Sequence, residues 1–169
     1  MTPLWEIEHK GTALQGVGEQ ALLKAPLTAF FASRQCPGLA IRSAMDWAIE
    51  QAHKRQGVVS GFHSPLEQSV LKLLLQAKSP VVAVLARPVA DARLPPAWQA
   101  ALADSYLAVV SLCDTPQRLT REQARKRNEL AARLSDTIVI AHTSAGGELA
   151  RQSASWGADG LSLQHLITT

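Results

Sequence analysis

Val58-Val59-Ser60-Gly61-Phe62-His63-Ser64-Pro65-Leu66-Glu67 is the stretch on which the fold turns. Two β-branched apolar residues begin a strand that stops at Ser60-Gly61. Ser64 then stands at an N-cap, with Pro65 at N1, where its missing N–H costs nothing, and Glu67 at N3. This pattern is a capping box. The helix it opens carries Leu66, Val70, Leu73, Leu74 and Ala77 on one face, and Pro80 closes the unit. The result is a strand, a loop of small residues and a capped helix.

The same grammar repeats outward in both directions. Upstream, Leu27–Ala32 (LTAFFA) is a short apolar run suited to a buried strand. From Leu39 to Gln56, Ile41, Ala44, Met45, Ala48, Ile49 and Ala52 fall at helical spacing, and Gly57 is expected at C′. Downstream, strands are expected at Val81–Leu85, Tyr106–Leu112 and Thr137–Ala141, with a last short one at 161–163. Helices are expected over Ala97–Ala103, over Thr120–Leu134 with Thr120 and Gln123 as a second capping box, and from Gly147 to Trp156-Gly157. Cys113-Asp114-Thr115-Pro116 reads as a turn. Trp47 and Trp98 sit at core spacing, and Trp5 and Trp156 are expected to cover the sheet edge. Residues 1–26, interrupted by Gly11, Gly16 and Gly18, read as a lead-in with one helix near Glu19–Lys24. Apolar strands alternating with helices imply βαβ units. The expectation is one α/β domain over residues 1–169. It is Rossmann-like, a three-layer αβα sandwich around a mostly parallel sheet of five to six strands.

Composition narrows the function classes. Apolar residues make up 47% of the 169, enough for a core without disulfides or metal. The net charge is +3, from 17 Lys+Arg against 14 Asp+Glu, so clustering matters more than the sum. Cys36 and Cys113 lack metal or redox spacing and read as small buried or half-buried thiols. Met1 to Glu6 has no apolar segment of secretory type, and no apolar run approaches the roughly 18 residues of a membrane span. A cytoplasmic protein without a membrane role is expected, with no cofactor and no metal.

Ligands of such sheets bind at the carboxyl ends of the strands. Three loops are expected there: Ser33-Arg34; Ser60-Gly61-Phe62-His63-Ser64; and His142-Thr143-Ser144-Ala145-Gly146-Gly147. Free N–H groups at helix starts favour anions, and Gly61, Gly146 and Gly147 are expected to admit a ligand close to the backbone. Arg34 suits a bidentate phosphate contact. Between Arg118 and Arg133, six cations face only Glu122 and Glu129. Arg127 and Asn128 flank the inward stripe of that helix, where they reach either a ligand or neighbouring strand ends. Neither GxGxxG nor GxxxxGK[ST] is present. His63 and His142 are positioned to meet across the site, but no GxSxG elbow accompanies them. No catalytic residue is assigned. Phe62 is the aromatic best placed for base stacking.

These residues, in this order, resemble the DNA-processing protein A family (DprA, also called Smf) of the SLOG superfamily, from about His9 to Gly157. His9-Lys10-Gly11 through Pro26 looks like the family's lead-in, and Ala32-Ser33-Arg34 like its Gly-Ser-Arg. Val58-Val59-Ser60-Gly61 looks like its strand end, Arg127-Asn128-Glu129 like its Arg-Asn-Arg, and Ser144-Ala145-Gly146-Gly147 like its Ser-Gly-Ser loop. The resemblance implies non-catalytic binding of single-stranded DNA in recombination or transformation, a recombinase partner and a homodimer. Arg34, Arg127 and Asn128 would be backbone-binding residues. Ala32 replaces a glycine, and Glu129 replaces an arginine, a change unfavourable to phosphate contact. No winged-helix domain follows, so a diverged, stand-alone domain is expected. Two alternatives stay open. One is a small-nucleotide sensor or signalling module. The other is a LOG-like nucleotide phosphoribohydrolase, whose glutamate position is held here by Gln152.

Overall fold

A computed structural model describes residues 3–113 and 120–166. Eight strands form one sheet: β1 (Leu4–His9), β2 (Thr12–Gly18), β3 (Leu27–Ala32), β4 (Gly57–Ser60), β5 (Val81–Val84), β6 (Leu107–Leu112), β7 (Thr137–His142) and β8 (Leu163–His165). The helices are α1 (Ala21–Lys24), α2 (Gly38–Lys54), α3 (Pro65–Gln76), α4 (Pro96–Ala103), α5 (Arg121–Leu134) and α6 (Glu148–Ala158). The strand order is β1-β2-β6-β5-β4-β3-β7-β8. Strands β3 to β8 pair in parallel, and β1 and β2 add an antiparallel edge on β6.

The continuous apolar runs follow from burial on both faces. Phe30, Val58, Val81, Val109 and Val139 point to one side, with Trp47 of α2, Val70 of α3 and Ala101 of α4. Their chain neighbours Phe31, Val59, Val82, Val110 and Ile140 point to the other, with Leu130 of α5 and Trp156 of α6. A strand covered on both faces needs no polar alternation. Right-handed crossovers from β3 out to β6 place their helices on one face, and the long return from β6 to β7 and the step on to β8 place theirs on the other. The strand order reverses at β3, between β4 and β7, so the crevice expected of a doubly wound sheet opens above β3.

Several expectations are corrected. Eight strands replace five to six, because the lead-in holds a hairpin. Trp5 and Ile7 are half-buried while Glu6 and Glu8 are exposed, a period of two that the glycines obscured. Lys10 and Gly11 both take positive φ, as a two-residue hairpin turn demands. Gly16 leaves room for the Trp5 ring, and the indole N–H donates to Gly18 O at 3.0 Å. Helix α2 ends at Arg55, itself left-handed with φ 53°, and Gly57 belongs to β4 rather than capping. Ile41 and Ile49 are exposed and Trp47 is buried, so the stripe of α2 is rotated from the expected one. Trp47 stacks on Phe30 at 5.0 Å. Trp156 is core, 4.8 Å from Phe31, rather than an edge cover. Cys113 is exposed. Asp114, Thr115, Pro116 and Arg118 lie outside the described residues. Among the described residues, no helix is long and apolar enough to cross a membrane.

Candidate phosphate-binding cleft

The capping box at Ser64 forms as the sequence requires. Glu67 N donates to Ser64 Oγ, and Ser64 N donates to Glu67 Oε1. Glu67 also does more. Its Oε1 accepts from His63 N at 2.9 Å, and its Oε2 accepts from Ala32 N at 3.0 Å, at the end of β3. One carboxylate therefore ties the carboxyl end of β3 to the loop between β4 and α3. Burial pushes the Glu67 carboxyl up from its ordinary pKa; the three backbone N–H groups and the Arg127 charge oppose that rise. Nothing in the local sequence distinguishes a glutamate that only caps from one that also latches a second strand.

Arg127, from α5, crosses to the same place. A Cβ on Gly61 would fall onto Nε, Cδ and Cγ of Arg127. The glycine is thus required by this arginine stem, not by a ligand as its loop position had suggested. Arg127 Nε is buried and has no hydrogen-bond partner among the described residues. Burial holds the guanidinium below its ordinary pKa, and the charge of Glu67 partly restores it.

Around these two groups lies a cleft of about 610 Å³ at the carboxyl ends of β3, β4 and β7. Ser33, Arg34, His63, Ser64, Arg127, Asn128, Ser144 and Gly147 all line it, so three separate loops and one helix converge there. Arg121 and Arg125, two of the six cations counted on that helix, also line it, as does Arg151, which the sequence did not single out. Arg125 pairs with Glu122 at 2.6 Å and Arg151 with Glu148 at 2.8 Å, both between neighbouring turns of one helix. Arg34 and Arg121 make no such pair among the described residues. Among the described residues, five arginines against Glu67, Glu122 and Glu148 leave a formal excess of two positive charges on the walls. His63 is held below its ordinary pKa by burial first, then by Arg127 and Arg34, so its ring is predominantly neutral at neutral pH.

The remaining expected residues take other places. Ser60 is fully buried, and its Oγ accepts from Phe62 N at 3.2 Å. Phe62 has φ 48° and is 4% exposed, its ring in the core, so it is not offered to a base. Gly146 sits in open space with φ +73°, which accounts for the glycine by backbone conformation. A Cβ on Gly147 would press on Ser144 O at 3.1 Å. His142 does not meet His63: its Nδ1 lies 3.0 Å from Ser33 Oγ. That hydroxyl donates to Gln35 O at 3.2 Å, which leaves its lone pairs for an Nδ1–H.

Glu129 does not face the cleft. It accepts from Trp156 Nε1 at 3.0 Å and Gln152 Nε2 at 3.2 Å, between α5 and α6. Its carboxylate therefore does not oppose a bound phosphate, contrary to the expectation from its place in the motif. Gln152 Oε1 accepts from Asn128 Nδ2 at 3.1 Å, so the Asn128 amide is positioned by α6. The residue at the LOG glutamate position is in this way a buried link between helices. Among the described residues, no three His, Cys, Asp or Glu side chains gather as metal ligands.

The family described as DNA recombination-mediator protein A matches residues 2–158. No curated protein matches the chain. Among solved structures, the DNA processing protein A of Streptococcus pneumoniae is similar at TM-score 0.76 and 19% identity; the match covers 93% of this chain and 56% of that one. The chain thus spans little more than half the length of that relative. The Helicobacter pylori protein, described with a unique single-stranded DNA binding mode, is similar at TM-score 0.79 and 16% identity, over 100% and 82% of the two chains. A Moco carrier protein of Chlamydomonas rheinhardtii shares the fold at TM-score 0.56 and 15% identity, over 86% and 77%.

Proposed function

Since the chain belongs to the DNA recombination-mediator protein A family, we propose that it takes part in DNA processing by binding single-stranded DNA, through phosphate contacts in the cleft above β3. The observation that carries this reading is the convergence of Arg34, Arg121 and Arg127 on one crevice at the reversal of strand order. Among the described residues, His63 is the only ring on its walls. Contact is therefore with the sugar–phosphate backbone, and base stacking contributes little. Glu67 and Asn128 act as positioning residues, through Ala32 and Gln152. The recombinase partner and the homodimer implied by the resemblance belong to the same reading.

The test is the fluorescence anisotropy of a labelled single-stranded oligonucleotide, titrated at low and moderate salt with wild type and Arg34→Ala. Affinity falls as salt rises, by about 0.7 in log–log slope per phosphate neutralised. The variant binds more weakly and with a smaller slope. Binding indifferent to salt, or to the loss of Arg34, refutes the phosphate mechanism.

One observation favours a second reading, a small-nucleotide module. The cleft volume falls within the roughly 300–1,000 Å³ of single-ligand pockets. Thermal unfolding with a nucleotide panel decides it, since a ligand at about 100 times its Kd adds about 2.7 kcal/mol. The absence of a shift with any nucleotide removes this alternative.

A further inference from the structure

Beside the large cleft, a smaller crevice of about 250 Å³ opens at the carboxyl ends of β4 and β5. Arg87, His63 and Arg127 are its charged or titratable walls, and among the described residues no carboxylate lines it. His63 and Arg127 line both crevices. The Arg127 stem lies over Gly61, which places its guanidinium in the partition between them. Its Nε is a buried donor with no partner among the described residues, a group that gains from an added anion. Arg87 is exposed at the far side. Cations therefore continue across the sheet edge from Arg34 after β3, through Arg127, to Arg87 after β5, with the His63 ring between them.

We propose that the two crevices are consecutive subsites for one polyanion, with Arg34 holding a phosphate in the larger, Arg87 holding a neighbouring phosphate in the smaller, and Arg127 shared between them. The ligand class is then a phosphodiester strand, which engages both subsites, and not a single nucleotide, which fills one. This inference rests on the single-strand reading above and adds Arg87 and a direction of travel, from the end of β3 toward the end of β5. The two subsites act as linked sites: a strand in the first presents its next phosphate to the second at high local concentration.

Arg87→Ala and Arg34→Ala, each compared with wild type, separate the inference from the reading beneath it. Arg87 is exposed, so its removal leaves the fold intact, which thermal unfolding verifies. The probes are a labelled oligothymidylate, by anisotropy across a salt series, and thymidine 5′-monophosphate, by calorimetry at low salt. Arg87→Ala is expected to weaken the oligothymidylate about 5- to 10-fold and to reduce its salt slope by about 0.7, leaving the monophosphate unchanged. Arg34→Ala weakens both probes. An unchanged oligothymidylate affinity and slope in Arg87→Ala, with Arg34→Ala impaired, overturns the second subsite and spares the single-strand reading. Equal weakening of both probes by Arg87→Ala overturns the separation of subsites. Wild-type affinity for both probes in both variants overturns the reading itself.

Discussion

Replacing Glu67 by Gln tests whether one buried carboxylate holds the cleft together. The carboxylate accepts from Ala32, His63 and Ser64 at 2.9 to 3.2 Å. A glutamine of the same shape keeps one acceptor oxygen. In its better orientation that oxygen serves His63 and Ser64, and the new NH₂ confronts the N–H of Ala32. One hydrogen bond to a charged acceptor is lost, about 1.5–3 kcal/mol, and a buried donor is orphaned, about 1–3 kcal/mol. The variant is relieved of a buried charge, which offsets part of that. We expect a net loss of about 2 kcal/mol at neutral pH, equivalent to about 4–8 °C in Tm for a chain of this length. Denaturant and thermal unfolding measure it.

The pH dependence has a definite sign. The folded-state pKa of Glu67 is raised, so its titration contributes stability fully below the ordinary carboxylate value, and that contribution fades as pH climbs through the raised value. Wild type loses this increment with rising pH and Glu67→Gln has none to lose. The gap between them is widest in acid and narrows toward neutrality. A variant equal to or more stable than wild type at neutral pH refutes the latch, because the acceptor that Ala32 N loses would then be worth nothing to the fold.

Three further outcomes are expected. Glu129→Arg restores the Arg-Asn-Arg pattern, yet it should destabilise by about 2–4 kcal/mol, since the Trp156 and Gln152 donors lose a charged acceptor. Unfolding together with oligonucleotide anisotropy checks this, and unimpaired stability with tighter binding would contradict the inward placement of Glu129. Gly61→Ala pushes on Arg127 and should cost about 1–3 kcal/mol. Its binding defect should match that of Arg127→Ala, measured by the same anisotropy titration. For His63, whose pKa is depressed, oligonucleotide affinity should rise as pH falls through that lowered value, where the ring becomes charged. His63→Gln should flatten the profile, and a profile unchanged by that substitution would remove His63 from the contact.

The parallel βα units were legible because their signals are local or periodic. Strands sealed on both faces read as unbroken apolar runs, as at Leu27–Ala32 and Val81–Val84. The Ser64 capping box lies within one helical turn. The first hairpin was missed because an edge strand exposes every second residue and Gly16 serves the Trp5 ring, so the run looks broken. In the cleft, Ser33, Arg34, His63, Ser64, Arg127, Asn128, Ser144 and Gly147 were assigned by their place after strands or on the α5 stripe, and they do converge.

By itself, then, the sequence determined the alternation of strands and helices, the caps, and which loops must share the carboxyl edge of the sheet. Each of those depends on hydrogen bonds or spacing within a few residues. Only the tertiary structure decided which way the side chains at that edge face. Phe62 turns into the core, Glu129 toward Trp156, Glu67 back to Ala32, and Arg127 over Gly61. These outcomes depend on which distant element occupies the neighbouring space, and α5 meets the β4 loop only after the chain has crossed to the opposite face of the sheet.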